Sequence, residues 1–174
     1  MATKKSYKKL ADNFRILEKG FKASTNVCCK ELADALQKEV EFNHAVFVAT
    51  LPPNDPQDHD ITVYQEYASD GNRIMVRIAG DQVIYDEFGT GDLGERNPHP
   101  DKNKYNLNDY NSGEHIKVDK YGRHYWFYKK QITNGVPSGK FIYKSMNNLR
   151  GVAPDIIKKK LKETWSDLLW AKRY

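Results

Sequence analysis

The first forty residues carry an apolar repeat that predicts one very long helix. Apolar side chains recur at spacings of three and four, at Tyr7, Leu10, Phe14, Leu17 and Phe21, and the repeat resumes at Cys28, Leu32, Leu36 and Val40. This spacing places them on one helix face. A helix over residues 5–40 would be about 50 Å long at about 1.5 Å per residue. Because that length exceeds the core of a small domain, we expect part of the face to need a second chain. The alternative is two helices folded back at residues 24–26.

Residues 84–100, IYDEFGTGDLGERNPHP, combine an apolar start with a turn-rich end. Gly89, Gly91 and Gly94 lie close together, so the backbone must turn sharply or approach another segment closely. Pro98 and Pro100 hold the residues before them in extended conformation. The stretch is either a surface connection or a loop that contacts another subunit or partner.

Two pairs of β-forming segments predict two antiparallel hairpins. Residues 61–67 and 73–79 flank an Asp-Gly pair, which is typical of a hairpin turn. Residues 115–119 and 124–130 flank a second turn at residues 120–123. A further apolar run at residues 45–49 is interpreted as a short strand.

The strand that begins at His124 is the most aromatic part of the chain. Tyr125, Trp126, Phe127 and Tyr128 put rings on both of its faces. We expect one face to be covered by its own domain and the other by a neighbouring chain. The alternative is a core strand of a sandwich-like sheet.

Residues 89–113 predict a continuous long loop. Its second half, from residue 101, is rich in asparagine and has no apolar period. Loops of this length are uncommon inside compact domains unless they are functional or ordered by a partner. We therefore expect this loop to contact a partner.

The C-terminal region predicts two helices. Ser138 caps a helix over residues 141–149, Gly151 ends it, and Pro154 begins the last helix. Four lysines early in that helix, Lys158, Lys159, Lys160 and Lys162, form either a solvated face or a patch that faces an anion such as DNA. Together the elements predict one α+β domain over residues 1–174. It has a helical N-terminal region (1–44), an antiparallel sheet of two hairpins, and C-terminal helices packed on the sheet.

Charge and cysteine content limit the class of protein. The chain has 28 Lys+Arg against 23 Asp+Glu, a net charge of +5, whereas a dedicated DNA reader is usually more basic. No apolar run approaches the roughly 18 residues of a membrane span, and the basic N-terminus lacks the apolar part of a secretory signal. We expect a cytosolic chain that contacts no membrane. Adjacent Cys28 and Cys29 suit small core or groove positions, since neighbours rarely form a disulfide.

No pattern in the sequence predicts catalysis. The five histidines lack metalloprotease spacing, and phosphate-binding and nucleophile-elbow motifs are absent. His59 lies in either an exposed polar loop or a weak cation site. Asp86 and Glu87 would point to opposite faces of a strand and so would not act as a pair. We expect no enzyme, metal or cofactor; the alternative hypothesis is a metal enzyme built on His99, His115 and His124.

Two segments carry a resemblance to a known family. Tyr85-x-x-Phe88-Gly89-Thr90-Gly91, followed by Asn97-Pro98-His99-Pro100, resembles the Y-x-E-F/Y-G-T segment of the tail-component (neck) family of long-tailed bacteriophages. In that family a hairpin precedes the segment, and G-x-P-x-x-F-I/M-x-x-A/S-M follows it. Residues 135–146, GVPSGKFIYKSM, take that place here. The resemblance spans residue 32 to the C-terminus. Many members have D-T-G-x-L after the first helix, where this chain has LPPNDP at residues 51–56.

The resemblance implies a virion protein of the neck, assembled in the host cytoplasm, that joins the DNA-filled head to the tail. It implies a homo-oligomeric ring, usually of six or twelve copies. Head-completion or adaptor proteins and the tail terminator or tail tube would be its partners, and double-stranded DNA would pass through the lumen. A closed ring needs two different patches on each subunit.

The candidate interface residues are Tyr85, Phe88, Gly89, Thr90, Gly91, Pro98, Pro100, Tyr125, Trp126, Phe127 and Tyr128. Lys158, Lys159, Lys160 and Lys162 are the candidates to face DNA. A tail terminator or tail-completion protein is the alternative within this class. The alternative from another class is a nucleic-acid-binding module that stacks bases on residues 121–128.

Overall fold

The computed structural model describes residues 4–53, 55, 58–69, 73–104, 117–128 and 131–170. Side chains are described over the same ranges except at residues 4–11, 124, 126–128, 131–132 and 167–170. The fold is mixed α+β, with a long N-terminal helix, antiparallel strands and a C-terminal helix, which confirms the predicted class.

The contacts divide the chain into two compact units. The first unit contains the described residues within 1–36, 65–76 and 149–174, and the second contains those within 37–64 and 77–148. Buried apolar side chains of the second unit are Val40, Phe47, Val63, Val136 and Phe141. In the first unit, Cys28 and Ala33 are buried. The single-domain prediction stays a prediction.

Helix α1 runs without interruption over Lys4–Val48. The predicted long helix is confirmed, and the fold-back at residues 24–26 does not occur. The predicted strand at residues 45–49 was wrong, because residues 45–48 form the last turn of the helix and the N–H of Ala49 donates to the carbonyl of Ala45 at 3.0 Å. Val40, His44 and Phe47 follow one another at spacings of four and three, and all three are buried. Helical packing of this face outweighs the β propensity of the two valines.

The first predicted hairpin is confirmed. Strand β1 is Thr62–Tyr67 and pairs with β2, Ile74–Ala79, in a two-stranded sheet. Beyond the strand ends, the N–H of Ala68 donates to the carbonyl of Arg73 at 3.0 Å. Most of the Asp-Gly turn, residues 70–72, lies outside the described residues.

Two short helices occupy the stretch where a strand and a loop were expected. Helix α2 is Val83–Phe88 and helix α3 is Gly91–Arg96; a 3-10 turn follows at Lys102–Lys104. The prediction of a structureless loop from residue 89 was therefore wrong over α3, and residues 105–113 lie outside the described residues. Six-residue helices show less than two full turns of apolar period, so the sequence pattern could not reveal them.

The second hairpin is also confirmed, and a third strand pairs with it. Strand β3 is Lys117–Val118, β4 is His124–Tyr128 and β5 is Gln131–Thr133, in the order β3-β4-β5. Both pairings are antiparallel, with Val118 opposite His124 and Phe127 opposite Ile132. The hairpins thus belong to two separate sheets, whereas one sheet was expected.

Helix α4 is a single element over Phe141–Trp170, with Pro154 inside it. The predicted break at Gly151 and the predicted start at Pro154 were both wrong. In the first unit this helix contacts α1: Lys160 Nζ lies 2.8 Å from Glu31 Oε1, and the rings of Trp165 and Phe21 meet edge-on at 5.4 Å. These contacts beyond Pro154 favour a continued helix despite the N–H that proline lacks.

Candidate functional site

The most unusual feature of the second unit is a set of buried ionisable side chains around α2. Asp86 is fully buried and Glu87 is 4% exposed, and the side chains of His44, His59 and His99 are buried beside them. Buried charges are rare unless they are paired. We call these five residues the acid–histidine centre.

Glu87 holds the N-terminus of helix α4. Its two carboxylate oxygens accept hydrogen bonds from the backbone N–H of Ile142 at 2.8 Å and of Tyr143 at 2.9 Å. The first turn of α4 contains no acidic residue of its own. Glu87 therefore satisfies free N–H groups and the positive end of the helix dipole from a distant segment, and this role stabilises the fold.

His99 fixes the Glu87 carboxylate. The backbone N–H of Asp101 donates to His99 Nδ1 at 3.0 Å, so the other nitrogen carries the proton. His99 Nε2 then donates to Glu87 Oε1 at 2.8 Å. The imidazole lies between Phe88 and Tyr143, with ring centroids 4.4 and 5.3 Å away. His99 is thus a structural residue of this centre.

Asp86 is the acceptor for a second histidine. Its Oδ1 lies 2.7 Å from His59 Nδ1, and its Oδ2 lies 3.5 Å from His44 Nε2. On the other side of the His59 ring, Nε2 lies 3.4 Å from Asp55 Oδ1, a distance that suits an ion pair better than a hydrogen bond. His59 therefore stands between two carboxylates.

The environment of His59 favours its charged form. Burial alone lowers the pKa of this imidazole, but the hydrogen bond to Asp86 and the negative charges of Asp86 and Asp55 outweigh burial. The pKa of His59 is therefore raised. The expectation of an exposed loop at His59 was wrong, because only 8% of the residue is accessible. A protonated His59 compensates the buried charge of Asp86.

Asp86 and Glu87 were expected in a strand, and this was wrong. They lie on consecutive positions of α2, about 100° apart around its axis, so each carboxylate reaches different partners. Asp86 contacts His44 and His59, whereas Glu87 accepts hydrogen bonds from His99 and from the first turn of α4. The two carboxylates do not converge on one point.

An open groove borders the centre. Its described lining residues all lie between Glu41 and Ile61 in the chain, with His44 and His59 among them. Four carboxylates also belong to this lining: Glu41, Asp55, Asp58 and Asp60. The apolar part of its wall includes Val48, Leu51 and Pro52. Within the described ranges, no three His, Cys, Asp or Glu side chains are arranged to hold a metal ion. We call this feature the acidic groove.

The glycine-rich turn packs closely against residues 135–139. Gly89 has a positive φ of 74°, and a Cβ there would lie 2.6 Å from the backbone nitrogen of Ser138. The N–H of Thr90 donates to the carbonyl of Val136 at 2.8 Å, and Thr90 Oγ1 accepts from the N–H of Val136 at 3.0 Å. The expectation of close backbone approach is confirmed. Ser138 does not cap α4, because its hydroxyl donates to the Glu87 carbonyl.

The predicted interface residues have different environments. Gly89 and Thr90 are buried, Tyr85, Phe88, Gly91 and Tyr125 are half-buried, and Pro98 and Pro100 are exposed. The side chains of Trp126, Phe127 and Tyr128 lie outside the described residues, as do His115 and the side chain of His124. Their assignment to an interface stays a prediction.

The lysine cluster and the cysteines lie in the first unit. Lys158, Lys159 and Lys162 are exposed, whereas Lys160 pairs with Glu31 and Glu163. Cys28 is buried and Cys29 lines an apolar groove with Leu32, Leu36 and Met75. Both thiols are free, which agrees with the expected core and groove positions.

The sequence analysis named Asp86, Glu87, His59 and His99 individually but did not predict that they form one buried centre with His44. One of them had a usable pattern: His44 follows Val40 by four residues and precedes Phe47 by three, which puts it on the buried face once α1 is continued. The others had none, because Asp86, Glu87, His59 and His99 are joined by contacts between distant segments.

None of the helices in the described ranges has an apolar stretch sufficient to cross a bilayer. No protein-family model, curated protein or solved structure matches the chain.

Proposed function

We propose that this protein is a structural component of a bacteriophage neck, which assembles as a ring between the DNA-filled head and the tail. The observation that carries the proposal is an apolar stripe on the first half of α1. Phe14, Leu17 and Phe21 are 62%, 42% and 61% exposed, and their spacing of three and four puts them on one face. Apart from the edge-on contact of Phe21 with Trp165, an isolated chain would leave this face in water, and burial against other copies would stabilise it.

The kind of assembly, a ring, is proposed from the resemblance to the neck family. Its two motif segments, residues 85–91 and 135–146, contact each other through the bonds of Glu87 and Thr90 described above. Segments that are far apart in sequence are thus parts of one local structure. This arrangement supports treating the two segments as a single motif.

The chemistry of the acid–histidine centre supports a structural role. The Glu87 carboxylate is fully engaged by His99 and the start of α4, and Asp86 is paired with His59. These contacts hold the fold together. The proposed function is therefore mechanical and positional.

The test is the self-association of Phe14→Asp beside that of Asn26→Asp. Both substitutions add one negative charge to an exposed site on α1, but Asn26 lies on the opposite face from the stripe. We expect Phe14→Asp to reduce assembly strongly and Asn26→Asp to leave it unchanged, as measured by sedimentation velocity. Equal assembly of the two variants would contradict the role of the stripe.

A nucleic-acid-binding module would behave differently. Such a module would bind an oligonucleotide as a monomer at low salt, and the binding would weaken steeply as salt rises. We expect little oligonucleotide binding by the purified monomer. Tight, salt-dependent binding without self-association would favour the module over the neck protein.

A further inference from the structure

The acidic groove of the second unit has a negative charge, opposite in sign to the net charge of the whole chain. Four carboxylates line it, and no lysine or arginine is among its described lining residues, although the chain carries a net charge of +5. Its wall also contains apolar side chains, including Val48, Leu51, Pro52 and Pro53. This combination suits a ligand with both positive charge and apolar surface.

The wall of the groove contains two histidines whose hydrogen bonding is incomplete in the single chain. The Nε2 atoms of His44 and His59 are buried and make no hydrogen bond with any described residue. Both histidines are more than nine-tenths buried, and both line the groove. Each of the two atoms faces a carboxylate of its own chain only at ion-pair distance, His44 Nε2 at 3.5 Å from Asp86 Oδ2 and His59 Nε2 at 3.4 Å from Asp55 Oδ1. Neither has the short hydrogen bond that a buried polar atom normally makes.

The turn between β3 and β4 carries the complementary chemistry. Tyr121 is 70% exposed, with Lys120 Nζ 4.9 Å and Arg123 Cζ 5.3 Å from its ring centroid. With Lys117 on the adjoining strand, this segment has three positive charges against one negative, Asp119. We call Lys117, Lys120, Tyr121 and Arg123 the basic turn.

The basic turn is held in shape by Asp119. Its Oδ1 accepts the backbone N–H groups of Tyr121 at 2.8 Å and Arg123 at 3.0 Å, and its Oδ2 accepts from Arg123 Nε at 2.8 Å. The hydrogen bond from the Arg123 backbone is the largest of the effects that hold the pKa of Asp119 below its ordinary value. A preorganised turn loses little conformational freedom when it binds.

We propose that the basic turn of one copy inserts into the acidic groove of a second copy. This inference rests on the proposed ring and names two of its contacting surfaces. Lys120 and Arg123 face the carboxylates, and the Tyr121 ring packs on the prolines and aliphatic side chains. Tyrosine and arginine are common in such interface positions.

Two different surfaces in contact make the interaction heterologous. Each copy offers one turn and one groove, so the contact repeats from subunit to subunit and closes when the rotation allows. The opposite charges also disfavour turn-to-turn and groove-to-groove contacts.

The test is a charge exchange in the full chain, with self-association measured by sedimentation velocity. Lys120→Glu alters the turn and Asp60→Lys alters the groove; both sites are exposed. We expect each variant alone to associate at least about tenfold more weakly than the wild type. An equimolar mixture of the two variants should recover assembly, because each altered turn then meets an oppositely altered groove. Lys38→Glu and Asp81→Lys, exposed in the same unit but outside both surfaces, should assemble normally.

Several results would overturn the inference. If both single variants assemble normally, the turn–groove contact is absent while the proposed ring stands. If the mixture fails to recover, the two surfaces do not meet. If Lys120→Glu assembles but loses oligonucleotide binding, the turn faces nucleic acid. A wild-type protein that stays monomeric at all concentrations, both alone and with head and tail components, would end both the inference and the proposed function.

Discussion

Glu87 Oε2 accepts a hydrogen bond from the backbone N–H of Ile142, 55 residues further along the chain, at 2.8 Å. The Glu87 carboxylate of α2 thus caps the N-terminus of α4. The same segment adds two more links, since the Asp86 carbonyl accepts from the N–H of Gly139 and the Glu87 carbonyl accepts from the N–H of Lys140. The backbone conformation of residues 137–143 therefore depends on hydrogen bonds to α2.

Removing this carboxylate should destabilise the protein. Glu87→Ala leaves two N–H groups and His99 Nε2 without their acceptor, so we expect a loss of about 2–4 kcal/mol of unfolding free energy. Glu87→Gln keeps one acceptor oxygen and should cost less. Urea denaturation measures both, with the exposed Glu95→Gln as the control. Equal stability of Glu87→Ala and the control would show that the cap is unimportant.

Substitutions at two glycines with positive φ allow the cost of backbone strain to be measured separately from the cost of steric overlap. A Cβ at Gly135 would lie 1.9 Å from the Thr90 carbonyl oxygen, whereas one at Gly122 meets nothing within 4 Å. We expect Gly122→Ala to cost about 1 kcal/mol from strain alone, and Gly135→Ala to cost about 3 kcal/mol or more. Thermal unfolding of the two variants compares them directly. A Gly135→Ala variant as stable as Gly122→Ala would contradict the close packing of residues 90 and 135.

His59 should make stability depend on pH. Its pKa is raised in the folded state, so its contribution is fully present below the ordinary value of about 6.5 and is lost as pH rises through the folded pKa. The unfolding free energy of the wild type should therefore fall relative to that of His59→Gln as pH rises above about 6.5. The charged groups that face His59 are Asp86 and Asp55. An NMR titration of the wild-type imidazole is an independent measurement, and a midpoint below about 6.5 would contradict the predicted pairing.

The adjacent cysteines should differ in reactivity. Burial, and then the neighbouring Cys29, raise the pKa of the Cys28 thiol, and Cys28 is also less accessible than Cys29. Since the thiolate is the reactive form, iodoacetamide should modify Cys29 before Cys28 in the native protein. Peptide mass spectrometry at increasing reaction times reads out the order. Faster modification of Cys28 would contradict the packing of α1 in the first unit.

Regular, repeated patterns were predictable from the sequence. The three- and four-residue spacing between Tyr7 and Val40 gave α1, and the Asp-Gly pair at residues 70–71 with its β-branched flanks gave the first hairpin. Each depends on contacts between near neighbours, which sequence periodicity records.

Elements that are stabilised by contacts between residues far apart in the sequence could not be predicted from local periodicity. α2 and α3 are too short to show a period, and their buried acids depend on His59, His99 and the start of α4. Pro154 favours a helix boundary by local rules, yet α4 continues to Trp170. Residues 45–49 have high β propensity, yet Phe47 completes a buried helical face. In each case packing outweighs the local preference.

The mass of the assembled wild-type protein tests the central claim most directly. Sedimentation velocity over a range of protein concentrations, with electron microscopy of the same sample, would give both mass and shape. The proposed neck protein should form a closed ring of one discrete stoichiometry, and Phe14→Asp should reduce that species. A monomer at every concentration, alone and in the presence of head and tail components, would contradict the account.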